Sequence, residues 1–246
     1  MNKKTNVYAI IPAAGQGSRM GSPKTNKQFL ELQGIPVLAR TLLMFENSKD
    51  VDGIIVVTGQ SDEPRIKEIC LSYGIRKLIG IAKGGDTRQD SVRNALQFLE
   101  FIISGEEPGF SGTDNYVLIH DGARPFVSNE IIDRCICGAK KYLACGAGVR
   151  VKDTIKQVNH EGRIINTPPR DELFAIQTPQ AFLLPLISDL HAKAYRENLR
   201  FTDDTAIAEH YGTDVYMITG EYRNIKITTP EDLLYGEILL KDYGQK

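Results

Sequence analysis

Short apolar, β-branched runs return along the chain: VYAII at 7–11, GIIVV at 53–57, YVLIH at 116–120 and DVYMIT at 214–219. Runs of this length predict strands. Between most of them, apolar residues recur at three- and four-residue spacing in VLARTLLMFENS, TRQDSVRNALQFLEFI and NEIIDRCICGAKKYL, as a helix with one buried face requires. The alternation predicts an α/β fold: a single-domain, Rossmann-like unit with a mostly parallel sheet and helices on both faces. In TTPEDLLYGEILL, Thr229 can cap, Pro230 fits the first helical position, and Glu231 and Asp232 favour the positive helix end, so a last helix closes the fold.

The rhythm changes over 147–182. Residues there alternate as a hairpin does, with the turn at NHEGR, and then enter a proline-bearing extended stretch. This predicts a β-arm protruding at about 147–175, outside the main alternation. Its apolar residues Val149, Val151 and Ile155 lack an evident core to join, and such surfaces mark interfaces. SGEEPGFSGTDN at 104–115 is a long polar loop.

At 246 residues, one α/β domain of 1–246 is the expectation. Lys plus Arg at 30 against Asp plus Glu at 31 leaves a net charge of -1, so no global field draws the chain to nucleic acid or an anionic membrane. No apolar run reaches the ~18–20 residues of a spanning helix. Cys70, Cys135, Cys137 and Cys145 lack the CxxC spacing of a zinc site, and reduced packing thiols in a cytoplasmic protein are expected.

Candidate chemistry begins at PAAGQGSRMGSPKTNKQF, residues 12–29, a glycine-rich turn after the first strand that carries Arg19, Lys24 and Lys27. Glycines let backbone N–H groups approach phosphate oxygens closely. Gly15, Gly17 and Gly21 give G-x-G-x-x-x-G, not the dinucleotide spacing, which disfavours a Rossmann oxidoreductase; GSPKT departs from a P-loop by its proline. Surface cations on a tight turn are the plain alternative. Three cations on one glycine loop point instead to a polyphosphate, since transfer of an α-phosphoryl group needs cations and a metal around its oxygens.

This stretch resembles the nucleotide loop of the sugar-phosphate nucleotidyltransferases, and in detail the 2-C-methyl-D-erythritol 4-phosphate cytidylyltransferase family. Five further segments resemble that family: GGDTRQDSVRNAL (84–96), HDGARPFV (120–127), VKDTIK (151–156), RDELFAIQTPQAF (170–182) with FTDDTAIAE (201–209), and RNIKITTPEDL (223–233). The resemblance implies a nucleotidyltransferase (GT-A-like) fold and cytidylyl transfer from CTP to the polyol phosphate, with pyrophosphate leaving. It implies a CTP cradle at Pro12, Ala13, Ala14, Gly15 and Gly17, with Arg19 and Lys27 facing the triphosphate. Gly84, Gly85, Asp86 and Ser91 would read cytosine and ribose, while Arg88 and Arg93 stay open as ordinary helix-face cations, the preferred reading for Arg93.

Asp121 ends an apolar strand, where open α/β sheets place ligands, and is the candidate ligand for Mg2+ or another divalent cation, which takes one or two carboxylates with phosphate oxygens. His120 is expected to be structural, because a phosphate nucleophile is already ionised. Arg124 either binds the substrate phosphate or stabilises a turn. The resemblance assigns Thr154, Arg170, Thr202 and Lys226 to the polyol phosphate, Arg170 and Lys226 gripping its phosphate. Thr154 sits on an apparent strand, Thr202 looks like a helix cap, and Lys226 lies in the short strand NIKIT. The resemblance further implies a homodimer in which the arm completes the partner's substrate site, though a monomer with the arm folded back is open. Gly122-Ala123 and Arg150 depart from the family pattern, and Arg150 leaves room for another polyol phosphate. The alternatives are a ribitol-5-phosphate cytidylyltransferase, a nucleotidyltransferase for another base or sugar, and a non-catalytic nucleotide-binding module.

Overall fold

Val7, Ala9 and Ile11 of the first strand enter one apolar cluster and Ile10 enters another, the period of two expected of a strand buried on both faces. The computed structural model describes residues 5–15, 27–105 and 114–243. Its elements are β1 (Val7–Pro12), β2 (Glu31–Leu32), β3 (Ile35–Pro36), α1 (Val37–Asn47), β4 (Gly53–Thr58), α2 (Glu63–Ser72), β5 (Leu78–Lys83), α3 (Arg88–Ser104), β6 (Tyr116–Ile119), α4 (Asn129–Tyr142), β7 (Ala144–Arg150), β8 (Gln157–Val158), β9 (Ile164–Asn166), β10 (Phe174–Leu183), α5 (Leu184–Arg196), α6 (Asp204–His210), β11 (Tyr216–Thr219) and α7 (Pro230–Tyr243).

Seven strands form one sheet in the order β11-β7-β10-β6-β1-β4-β5. Neighbours pair in parallel except for β10, which runs antiparallel to both β6 and β7. Helices α1, α2 and α4 supply Leu42, Ile66 and Ile132 to one cluster, and α3, α5 and α6 supply Leu96, Ile187 and Ala208 to the other. This is the expected mostly parallel, two-sided α/β architecture. A smaller cluster of Leu32, Val37, Phe126 and Ile227 seats α7 through Leu233 and Leu240. Asp232 Oδ2 accepts from the backbone N–H groups of Thr228 and Thr229 at 2.8 and 2.9 Å, satisfying donors at the start of α7, where a helix end was predicted.

The chain runs outward from β1 to β4 and β5, then crosses back to β6 on the other side of β1. Connections leaving β1 and β6 therefore diverge above their C-terminal ends, opening a crevice at the point where open α/β sheets bind ligands.

Residues 147–182 require a correction. The hairpin exists, as β8 paired with β9, and Asn159 Oδ1 accepts from Glu161 N and Arg163 N to shape the expected turn. The flanking residues belong to the main sheet instead: β7 is pinned by β11 and β10, and β10 is a central strand with Ala181 and Phe182 fully buried. Pro179 made this stretch read as peripheral, but the β7–β10 register shifts between Ile176 and Gln180, and the proline sits in that irregularity. The projecting part is thus shorter than 147–175. Two further expectations fail locally. Thr154 and Lys226 lie on irregular backbone, not on strands.

Candidate active site

The crevice is walled by the loops that follow β1, β5 and β6. Ala13 N–H donates to Val57 O at 2.7 Å, Gly84 N–H to Thr58 O at 2.9 Å and Gly122 N–H to Pro12 O at 3.2 Å, tying the three loop bases together. A Cβ on Gly84 would come within 2.8 Å of the Ala14 Cβ, so only glycine lets these two loops approach so closely. Among the described residues a Cβ on Gly15 would meet nothing within 4 Å, and Gly15 lines the crevice. Thr87 caps α3 by accepting from Asp90 N at 3.1 Å. The Ser91 hydroxyl donates to Thr87 O at 2.9 Å and accepts from Gly85 N–H at 3.0 Å, which folds the glycine loop over the helix start.

The resulting cavity holds about 610 Å³ and is lined by Pro12, Ala14, Gly15, Gly85, Asp86 and Ser91 among others, with Asp121 and Lys226 at its other wall. Of the predicted nucleotide residues, Ala13 is buried beneath the loop, and Gly84 lies at its base. Arg19, Lys24 and Gly17 lie outside the described residues, as does the side chain of Lys27.

Asp121 is 7 % exposed and surrounded by cations. Lys226 Nζ lies 2.9 Å from Oδ2, Arg124 Nε 3.4 Å from Oδ2, and Arg88 Nε 3.5 Å from Oδ1. Burial by itself would raise the Asp121 carboxyl, but Lys226, Arg88 and Arg124 together hold it well below the usual carboxylate range. It is therefore ionised throughout the working pH range.

Lys226 is delivered by a stapled loop. Ile227 is fully buried, its N–H donates to Ala123 O at 2.8 Å, and Arg124 Nη1 donates to Asn224 O at 2.7 Å. The buried Asn224 amide in turn donates to Thr178 O at 2.8 Å. Ile225 and Ile227 pack inward, and Lys226 between them is left facing the crevice.

His120 is structural, as expected. It is fully buried, with Nε2 3.1 Å from Arg124 O and Nδ1 3.1 Å from Thr178 Oγ1. A carbonyl can only accept, so Nε2 carries the proton and Nδ1 accepts from Thr178, whose oxygen accepts from Asp121 N–H at 3.1 Å. Desolvation pushes the imidazole down to about 4. The chain of bonds fixes Asp121 and needs a neutral ring.

A second cavity of about 190 Å³ adjoins the first, lined by Arg88, Asp121, Arg124, Thr178, Thr202 and Lys226 among others. Thr202 is thus a cavity residue. Its expected capping role belongs to Asp203, whose Oδ1 accepts from Ala206 N at 2.9 Å. Arg124 lines this cavity and also holds the adjoining loop through Asn224 O.

Arg88 was left open as a helix-face cation; it instead lies between Asp121 and Asp204, with Nη2 2.8 Å from Asp204 Oδ2. Thr178, which lines the second cavity, and Asp204, which holds Arg88, went unnoticed in the sequence. The signal available in sequence was the pair of aspartates in FTDDTA, one more than a helix cap needs. Arg93 is not a solvated cation either: its guanidinium stacks 3.5 Å from the Tyr195 ring centre. Thr154 and Arg170 are exposed on the arm and line neither cavity; Arg170 Nη1 donates to Lys152 O at 3.3 Å. Arg150 braces the arm's base by donating to Asp171 O.

A glycine-walled crevice at the switch point of a doubly wound sheet, opening onto an ionised aspartate ringed by cations, defines a nucleotidyltransferase of the α/β class. Comparison with known proteins narrows the class. Residues 7–242 match the family profile described as 2-C-methyl-D-erythritol 4-phosphate cytidylyltransferase. Proteins of that name from Bacillus mycoides and Clostridium botulinum are 44% and 45% identical, covering 94% and 95% of this chain and 96% and 99% of theirs. The crystal structure of 4-diphosphocytidyl-2C-methyl-D-erythritol synthase from Anaerococcus prevotii is similar with a TM-score of 0.80 at 33% identity, covering 96% of each chain. The chain belongs to the 2-C-methyl-D-erythritol 4-phosphate cytidylyltransferase family.

Proposed function

We propose that the paired cavities transfer a cytidylyl group from CTP to 2-C-methyl-D-erythritol 4-phosphate, an isoprenoid-precursor step that yields 4-diphosphocytidyl-2-C-methyl-D-erythritol and pyrophosphate. The observation that carries this reading is that Arg88, Asp121 and Lys226 line both cavities. The larger cavity takes the nucleotide and the smaller one the acceptor, so an acceptor phosphate oxygen meets the α-phosphorus beside that trio. The new P–O bond forms as the bond to pyrophosphate breaks, and no base is required because the acceptor phosphate is already ionised.

Pro12, Ala13, Ala14, Gly15 and Gly17 with Gly84, Gly85, Asp86 and Ser91 hold the nucleotide. Arg19 and Lys27 stabilise charge on the triphosphate, while Lys226 and Arg124 grip the acceptor phosphate and Thr202 its polyol. Asp121 suits a single divalent cation such as magnesium. Its Oδ2 is shared by Lys226 and Arg124, whereas among the described residues Oδ1 has the longer 3.5 Å Arg88 contact. No group of three or more His, Cys, Asp or Glu that could hold a metal occurs among the described residues, so the remaining ligands would be phosphate oxygens and water. Such an ion would offset the charge of the triphosphate.

The arm makes the enzyme a homodimer in this reading. Ile155, Val158, Ile164 and Ile165 are 42–57% exposed on a projection too thin to bury them, which supports a partner surface that also receives Thr154 and Arg170. Four free cysteines support a reducing, cytoplasmic setting.

The test is pyrophosphate release with CTP and magnesium, comparing 2-C-methyl-D-erythritol 4-phosphate with D-ribitol 5-phosphate, and a Lys27→Ala control. Release with the methylerythritol substrate alone, lost in the control, is expected. Release with ribitol phosphate alone, or silence with both, would overturn the assignment.

A further inference from the structure

We infer that Arg88 is a phosphate-facing cation of the transfer site, and that buried Asp204 and His191 are positioning residues that hold its guanidinium where the two cavities meet. This inference rests on the reading above, since it specifies a residue for that reaction.

Arg88 is the first residue of α3, directly after the glycine loop that walls the nucleotide cavity, and its side chain is 29% exposed. It lines both cavities. Its fork is held at two points, Nη2 against Asp204 at 2.8 Å and Nε against Asp121 at 3.5 Å. A planar guanidinium fixed by two carboxylates has a defined plane as well as a defined position, which a lysine would lack.

Asp204 is an expensive choice for a merely structural position. Its side chain is 1% exposed, and an isolated carboxylate at such a site would be strongly disfavoured. The surroundings compensate it at both oxygens. Oδ2 takes Arg88 and Oδ1 lies 3.1 Å from His191 Nε2, while the backbone N–H, donating to Gln180 Oε1 at 3.0 Å, fixes the residue's main chain. Because a carboxylate only accepts, His191 donates from Nε2, and its buried Nδ1 has no hydrogen-bond partner among the described residues. Among the described residues, the ring's hydrogen bonding is thus committed to Asp204.

The placement joins the two substrates. Asp86, two residues before Arg88, lines the nucleotide cavity, and Thr202, two residues before Asp204, lines the acceptor cavity. One ion pair across 116 positions of chain thus links the two loops and sets the approach of acceptor to nucleotide.

The experiment measures kcat and KM for CTP and for 2-C-methyl-D-erythritol 4-phosphate by pyrophosphate release, with thermal melting alongside. The variants are Arg88→Gln, Asp204→Asn, the double variant, His191→Gln and His191→Leu. Arg88→Gln is expected to lower kcat by about 10²-fold with KM for CTP changed less than about threefold, the signature of a contact made mainly in the transition state. Asp204→Asn is expected to lower kcat about tenfold through misplacement of Arg88. The double variant, which removes both charges, is expected to be no slower than Arg88→Gln, because Asp204 acts through Arg88. His191→Gln keeps an amide donor toward Asp204 and recovers most of the rate that His191→Leu loses. Near-wild-type turnover of Arg88→Gln, additive losses in the double variant, or equal rates for the two His191 variants would each overturn the inference. With an active wild-type enzyme those outcomes leave the family reaction standing; a silent wild-type enzyme would remove both.

Discussion

Around Asp121 the charged side chains are anchored by distant parts of the same chain, whereas around Thr154 and Arg170 the contacts are mostly local. Asp121, Arg124 and Arg88 make hydrogen bonds across 57, 100 and 116 positions. On the arm, Lys156 to Thr167 spans 11 positions, Arg170 to Lys152 spans 18 and Arg150 to Asp171 spans 21. One region is tied together across the length of the chain; the other is shaped locally and leaves its isoleucines exposed. A site assembled from long-range contacts is preorganised before substrate arrives, while exposed isoleucines on a locally folded arm form a surface of the kind that suits a partner.

The comparison breaks most severely at Lys226. Its Nζ contacts Asp121 and its side chain is 37% exposed to the cavities, so Lys226→Ala should leave the fold intact. Turnover is expected to fall about 10²–10³-fold, the size of one lost transition-state donor, as read by pyrophosphate release. A fall below about threefold would show that the cationic ring is structural.

Acid should act on the cleft before the arm. His120 is held at about 4 against 6.5 for the free side chain, so below pH 6.5 the unfolded chain binds a proton that the folded one refuses. Stability therefore declines as pH falls from about 6.5 to 4, by on the order of 3 kcal/mol from this group. Asp121, held below its ordinary range, stabilises the fold above its unfolded value and that contribution is lost only at still lower pH. Melting temperature against pH for wild type and His120→Gln checks this; the variant should show a flatter decline from pH 6.5 to 4.

The arm offers a milder test. Ile164→Lys, at a position 57% exposed, should leave the melting temperature within a few degrees but shift the protein toward monomer in sedimentation, with turnover reduced about tenfold. An unchanged dimer with full activity would remove the arm from both interface and site.

Most of the scaffold was legible because its signals are local. The runs at 7–11, 53–57 and 116–120 became β1, β4 and β6, and the amphipathic segments became α1, α3 and α4. Strand β5 escaped because it is a half-exposed sheet edge, with only Ala82 buried in LIGIAK. The central position of β10 escaped because a proline ordinarily argues for an edge, and only the register shift at Pro179 makes room for it.

By itself, the sequence determined the α/β alternation, the family motifs and the glycine loop, and it singled out Asp121 and Lys226, which the fold brings to 2.9 Å of each other. Each follows from neighbours in the chain or from a contiguous motif. Tertiary structure alone decided that Arg88 leaves its helix face for Asp204, that Asp203 caps while Thr202 lines a cavity, and that Asn224 and Ile227 pin the loop bearing Lys226. These depend on which side chains the folded sheet brings within about 3 Å across a hundred positions or so, where burial and a fixed partner set the state of each charge. Spacing along the chain carries no record of such distances.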